Sequence, residues 1–142
     1  MAGSLTAGTV TLTSITDGTY TVTPAVISNG IVKAWVNFDG TGSSSTNQTI
    51  RSSYNVSSVY KNGTGNYTIN FTNALADTNY AVAGVTSIAG YSGGSAVGIV
   101  SEYSSSSSTY GTKTTTALQI VTCDNNSDNL FDSYSVNCSI FR

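Results

Sequence analysis

The chain has 142 residues, 39% of them hydrophobic and only 8% charged, with no histidine and a formal charge of −2. Its length predicts one domain with its own core, since about 150 residues bury roughly 70% of their unfolded surface. Ordinary domains are about 25% charged, so solubility rests here on Ser, Thr, Asn and Gly, while nine tyrosines and the low net charge exclude the aromatic-poor, highly charged composition of disordered chains.

No stretch keeps a helical period over the roughly 11 residues needed to define one, whereas period-2 alternation recurs throughout. In the N-terminal segment, Thr9 to Thr13 and Thr19 to Thr23 are expected strands around an Asp17-Gly18 turn. Pro24, the only proline, belongs at a strand end or sheet edge because it cannot donate to a ladder. Residues 1–29 are either the first hairpin of the domain or an arm docking on a neighbouring subunit, and residues 30–142 form the β-sandwich domain.

From Lys33 onward the alternation is clearest. Ala34, Val36 and Phe38 share one side of a strand, with Lys33, Trp35 and Asn37 on the other. Trp35 therefore enters a second core layer or fills a subunit contact. Ile50, Ser52, Tyr54 and Val56 are expected on one side of the next strand. Tyr67, Ile69 and Phe71 oppose Asn66, Thr68 and Asn70 in the third. Asp39-Gly40-Thr41-Gly42 and Lys61-Asn62-Gly63-Thr64-Gly65 supply the residues that tight hairpin turns demand.

Further along, Tyr80 to Thr86 is a strand whose Ala81, Ala83 and Val85 suit close packing across a symmetry axis. Ile88 to Gly94 is a Gly-rich loop, Ala96 to Tyr103 a strand, and Ser104 to Ser108 a solvated serine run. Thr112 to Cys123 is a long strand dense in β-branched residues, and Asp124 to Asp132 a polar loop. In the last strand Tyr134, Val136, Cys138 and Ile140 face one way, and Ser135, Asn137, Ser139 and Phe141 the other. About nine short strands separated by turn signals predict an all-β, antiparallel β-sandwich or jelly-roll-like fold. Charge is too sparse to blunt exposed sheet edges with Lys or Glu, so an oligomer that covers its edges is expected.

The segments KAWVNFDGTG (Lys33 to Gly42), IRSSYNVSSV (Ile50 to Val59), NGTGNYTINF (Asn62 to Phe71) and Ala-Asp-Thr-Asn-Tyr (Ala76 to Tyr80) together resemble a block found in fibre-type structural proteins of tailed bacteriophages, where it often lies near the C-terminal end. The resemblance covers roughly a third of the chain, in order. The Ser/Thr run from Thr41 to Gln48 is longer than that block's joint. The resemblance implies a virion structural protein and a homotrimer, and it carries no catalytic motif. It leaves two placements open: a tail fibre or tip protein that binds the host surface, or a capsid decoration (cement) protein that clamps shell subunits. A lead of about thirty residues before the block suits decoration or a small tip subunit as well as a fibre.

Candidate sites are few. Without histidine there is no Ser-His-Asp or Cys-His nucleophile, no His-ligated zinc and no general base of the commonest kind. Paired carboxylates could still hydrolyse glycosides, but the seven acids are spread one per loop, as solvated turns are, and no enzyme is expected. Asp124-Asn-Asn-Ser-Asp128-Asn129 matches the start of a calcium loop but has Asn129 where glycine belongs and Ser135 where the bidentate glutamate belongs. No metal and no cofactor is expected. Cys123 and Cys138 fall on the last two expected strands and are read as free thiols, as suits a chain folded in a cytosol. Asn-x-Ser/Thr triplets such as Asn55-Val-Ser57 arise by chance in such a composition.

Tyr91, Tyr103 and Tyr110 flank the Gly- and Ser-rich loops. They either pack under those loops or between subunits, or stack on the rings of a host glycan, to which tyrosine offers an apolar face and a hydroxyl. The five basic residues, Lys33, Arg51, Lys61, Lys113 and Arg142, are scattered singly, so no nucleic-acid surface is expected. No apolar run approaches the roughly 20 residues that span a bilayer, and MAGSLTAGTVTL lacks the regions of a signal peptide. The expected location is the virion, after synthesis in a host cytoplasm, with other virion proteins (tail or major capsid protein) as partners. A free carbohydrate-binding module is the reading from another class.

Overall fold

Alternating side chains give an all-β structure with no helix among the described residues. The computed structural model describes residues 14–16, 18–19, 21–23, 31–87, 97–102, 104–106, 109–110, 113–123 and 130–142, with backbone alone at 21–22, 97–102, 104–106 and 109–110. Two units are distinguished, Met1–Ile31 and Val32–Arg142.

In the first unit β1 (Ile15–Thr16) pairs antiparallel with β2 (Thr21–Val22), Ile15 opposite Val22. The turn uses Gly18 at φ 94°, where a side chain would strain the backbone. The expected strand Thr9 to Thr13 and Pro24 lie outside the described residues.

The second unit contains β3 (Val32–Asp39), β4 (Thr49–Tyr54), β5 (Val56–Gly63), β6 (Asn66–Phe71), β7 (Ala81–Ser87), β8 (Val97–Glu102), β9 (Ser104–Ser106), β10 (Thr109–Tyr110), β11 (Ala117–Cys123) and β12 (Val136–Phe141). Eight of them form one antiparallel sheet in the order β4-β3-β12-β7-β8-β11-β6-β5, and β9 and β10 make a separate hairpin.

The sheet wraps until its two ends meet. Ser45 N–H donates to Lys61 O at 2.8 Å, Gln48 N–H to Val59 O at 2.7 Å and Lys61 N–H to Thr46 O at 3.0 Å, so the residues just before β4 bond the free edge of β5. The half β4-β3-β12-β7 then faces the half β8-β11-β6-β5 in a β-sandwich-like arrangement. Phe38 of one half meets Tyr67 of the other edge-on, with ring centroids 5.1 Å apart. This closure revises the edge argument made from composition. The chain covers the β5 edge itself, by backbone hydrogen bonding, and needs no neighbour to do so there.

The inner face follows the sequence pattern on most strands. Ala34, Val36, Phe38, Val136, Cys138 and Ile140 from one half, and Val59, Tyr67, Ile69, Leu118 and Ile120 from the other, are all buried. Tyr134 departs from its expected side. It precedes β12 and is 61% exposed, its ring under the Arg51 guanidinium at 4.4 Å.

Three further expectations change. Ile50, Ser52, Tyr54 and Val56 do not share a face. A bulge places Ser52 opposite Asn37 but Ile50 opposite Phe38, and the extra residue, Arg51, reverses the alternation, so Tyr54 points outward. Asn55 at φ 55° then breaks the run into β4 and β5 and returns Val56 to the core. Of the serine run expected as a loop, Ser104–Ser106 form β9, and residues 107–108 lie outside the described residues. The strand expected from Thr112 begins at Ala117, because Thr114 Oγ1 accepts from the N–H of Thr116 (3.2 Å) and of Ala117 (2.9 Å) and turns the chain there.

Candidate functional site: an outward face and a corner pocket

Register decides what each outer face presents. On the β4-β3-β12-β7 half, Tyr54 pairs Trp35, Trp35 pairs Ser139 and Ser139 pairs Ala83. The neighbouring row runs Ser52, Asn37, Asn137, Val85, and Phe141 pairs Ala81 beyond it. The result is a face carrying Trp35, Tyr54, Ala81, Ala83, Val85 and Phe141. Tyr54 is 58% and Val85 50% exposed. Asn37 and Asn137 are bonded to each other, Asn37 Nδ2 donating to Asn137 Oδ1 at 2.7 Å.

The opposite outer face, on β5, β6 and β11, is a network of amides and hydroxyls. Gln119 Nε2 (2.9 Å) and Asn62 Nδ2 (3.0 Å) both donate to Asn66 Oδ1. Asn62 Nδ2 also reaches Thr68 Oγ1 at 2.9 Å, and Asn70 Nδ2 donates to Ser58 Oγ at 3.0 Å. Tyr60, 38% exposed, stands on this face.

One end of the sandwich is closed by an ion pair between a buried Lys61 and a half-buried Asp132. Lys61, 2% exposed, donates from Nζ to Asp132 Oδ2 and to Gly42 O, both at 2.6 Å. Asp132 Oδ1 accepts the Gly65 N–H at 2.9 Å and lies 3.2 Å from the Tyr67 hydroxyl, which also donates to Gly40 O at 2.9 Å. Burial alone would raise the Asp132 carboxyl, but the hydrogen bonds from Lys61 and Gly65, the Lys61 charge and the Tyr67 hydroxyl outweigh it and hold it below the usual carboxylate range. Burial first, and the Asp132 charge second, push the Tyr67 phenol well above its ordinary value. The two glycines are required by close approach. A Cβ on Gly40 would stand 2.4 Å from the Tyr67 oxygen, and one on Gly65, at φ 59°, 2.7 Å from Thr122 O. With its donors and acceptors matched, this cluster ties the β3–β4 and β5–β6 turns to the chain entering β12.

The corner between β4 and β5 holds a pocket of about 230 Å³ lined by Tyr54, Asn55, Thr72 and Asn73. Asn55 builds it. In the left-handed conformation, which Asn tolerates better than most residues, its Nδ2 donates to Lys33 O (3.1 Å) and Asn73 O (3.2 Å). Its Oδ1 accepts the Asn73 N–H (2.8 Å), and its own carbonyl accepts the Thr72 N–H (3.1 Å).

Of the residues singled out from the sequence, Tyr91 and Tyr103 lie outside the described residues, as does the Asp124 to Asn129 loop. Tyr110 falls on β10, with its side chain outside them. Among the described residues no three His, Cys, Asp or Glu side chains cluster to hold a metal ion. Cys123 and Cys138 are on β11 and β12, with β7 and β8 between those strands in the sheet. Cys138 faces the core and Cys123 the outer side of its strand. Asp132 is not a solvated turn acid, and Lys61 is not a turn residue. The signal for Lys61 was present, since it continues the inward parity of Val59. Asn55 and its partners on residues 72–73 carried no spacing signal at all.

No protein-family model, curated protein or solved structure matches the chain.

Proposed function

We propose that this chain is a non-catalytic structural protein of a tailed-phage virion, a homotrimer displayed on the particle surface and acting as a tail fibre or tip component in contact with the host. The observation that carries the reading is the outward face of Trp35, Tyr54, Ala81, Ala83, Val85 and Phe141. An aromatic and small-residue surface on a sheet that already has a full core beneath it has the composition of an interface core, where charge is depleted and aromatics are enriched. The resemblance of the Lys33 to Tyr80 stretch to fibre-type proteins supports the same reading. The jelly-roll-like part rests on the connections from β6 to β7 and from β11 to β12, which cross from one half of the sandwich to the other as Greek-key links do.

Its partners are then two further copies of itself and a tail protein, and its place is the assembled virion after synthesis in the host cytoplasm. Antibody labelling of virions by electron microscopy tests this. Label on the tail is expected. Label spread over the head would replace the tail assignment with capsid decoration, and virions without label would leave a free carbohydrate-binding module.

A further inference from the structure

We propose that the corner pocket formed by Tyr54, Asn55, Thr72 and Asn73 binds a single neutral sugar ring. The inference deepens the host-contact part of the function proposed above and rests on it. The loop tyrosines singled out from the sequence play no part in it.

The site is preorganised. Asn55 spends both amide groups on the protein, donating to Lys33 O and Asn73 O and accepting from the Asn73 N–H, so it is scaffold rather than ligand contact. Its left-handed backbone at φ 55°, which asparagine tolerates, is held further by the bond from the Thr72 N–H to its carbonyl. A frame fixed before binding reduces the ordering cost that a weak ligand must overcome.

What the frame leaves over sets the ligand chemistry. The Thr72 hydroxyl, the Tyr54 hydroxyl and Asn73 Oδ1 make no hydrogen bond within the described residues, although the Asn73 amide nitrogen leans on Asn55 Oδ1 at 3.3 Å. Two of the three both donate and accept, and the third accepts only. Hydroxyl groups, which also donate and accept, complement that set. Among the described residues none of the four that line the pocket is charged, so they offer no counter-charge to a phosphate or an ammonium group. Tyr54 is 58% exposed and adds the apolar ring face on which a sugar's C–H surface can lie. At about 230 Å³ the pocket is smaller than the roughly 300–1,000 Å³ of sites that enclose drug-sized ligands, which fits one ring.

The full chain, isotope-labelled, is titrated by NMR with methyl glycosides of glucose, galactose, mannose and N-acetylglucosamine. The expected result is a saturable shift of the Thr72 and Asn73 amides with at least one of the four, at millimolar affinity. Tyr54→Ala and Asn73→Ala should each weaken that binding about tenfold, the loss of one good contact, with melting temperature and native mass unchanged in Asn73→Ala, which is not on the outward face assigned to assembly. Four flat titrations would overturn the proposal, as would binding that both variants retain in full. Flat titrations on a chain that still assembles remove the pocket and leave the virion reading standing. Saturable shifts on a chain that proves monomeric keep the pocket and remove the trimer.

Discussion

Across β3, β12 and β7 the outward row is Trp35, Ser139, Ala83, while across β5, β6 and β11 it is Tyr60, Thr68, Gln119. Both rows stand on strands whose other side is core, and both hold an aromatic ring. They differ in how their side chains end. Gln119, Asn62, Thr68 and Asn66 close their donors and acceptors on one another, so a partner arriving there would have to break bonds or match them by water. Ala81, Ala83 and Val85 have nothing to break. Covering them removes apolar surface at about 25 cal/mol per Å², and of their polar neighbours in the same rows Asn37 and Asn137 are already bonded to each other. Polar outer faces can thus be self-contained or not, and in a chain with 8% charged residues the difference is made by amide bonding rather than by charge.

The sharpest way to break this comparison is to remove the core both faces depend on. Val136→Asp buries a carboxylate at a position with no exposure, and Phe71→Asp does so in the other half. Each should abolish the folded state, seen as loss of the β-sheet circular dichroism signal. A folded, soluble Val136→Asp chain would mean that the inner and outer faces are reversed. Next in size is the end lock. Asp132→Ala leaves the Lys61 ammonium buried without a counter-charge and should cost about 3–5 kcal/mol in denaturant unfolding.

The same pair has a pH signature. Asp132 is held below its ordinary range in the folded chain, so its contribution is complete above the unfolded carboxylate value of about 3.9. It is lost as pH falls through the lower, folded value. The melting temperature should hold from neutral pH to about pH 5 and fall below about pH 4, with a shallower fall in Asp132→Asn. Asp39, held low mainly by its Thr41 hydrogen bonds, keeps part of the acid limb in that variant.

Smaller effects separate the two faces directly. Asn66→Ala removes the acceptor shared by Gln119 and Asn62 and should cost about 1 kcal/mol with no change in assembly. Thr68→Glu on that face removes the acceptor of the Asn62 amide and should cost about 1 kcal/mol, while Val85→Glu on the other, at a position 50% exposed, should move chain stability by less than about 0.5 kcal/mol. Only Val85→Glu should act on association.

Much of the fold was legible because period-2 alternation is a direct imprint of the pleat. Ala34, Val36 and Phe38, Tyr67, Ile69 and Phe71, and Val136, Cys138 and Ile140 all read correctly as inward. The reading failed where backbone geometry interrupts the period: at the Arg51 bulge and the left-handed Asn55, which together put Tyr54 outside, and at Thr114, whose hydroxyl turns a segment that composition alone reads as strand. The closure of β5 by residues 45–48 was not legible either, since it depends on backbone hydrogen bonds that leave no trace in side-chain pattern. The two sites fared differently. Period-2 alternation put residues 81, 83 and 85 on one side of a strand from sequence alone, and all three are exposed on the outward face, whereas the corner pocket joins residues 54–55 to 72–73 through one asparagine that looks like any other turn residue.

The most direct test is the native mass, by light scattering after size exclusion, of the wild-type chain beside Val85→Glu and Thr68→Glu. The account predicts three chains for the wild type and for Thr68→Glu, and one chain, still folded, for Val85→Glu. A monomeric wild type, or a Val85→Glu chain that remains trimeric, would contradict the assignment of the Trp35 face as the surface through which this protein assembles.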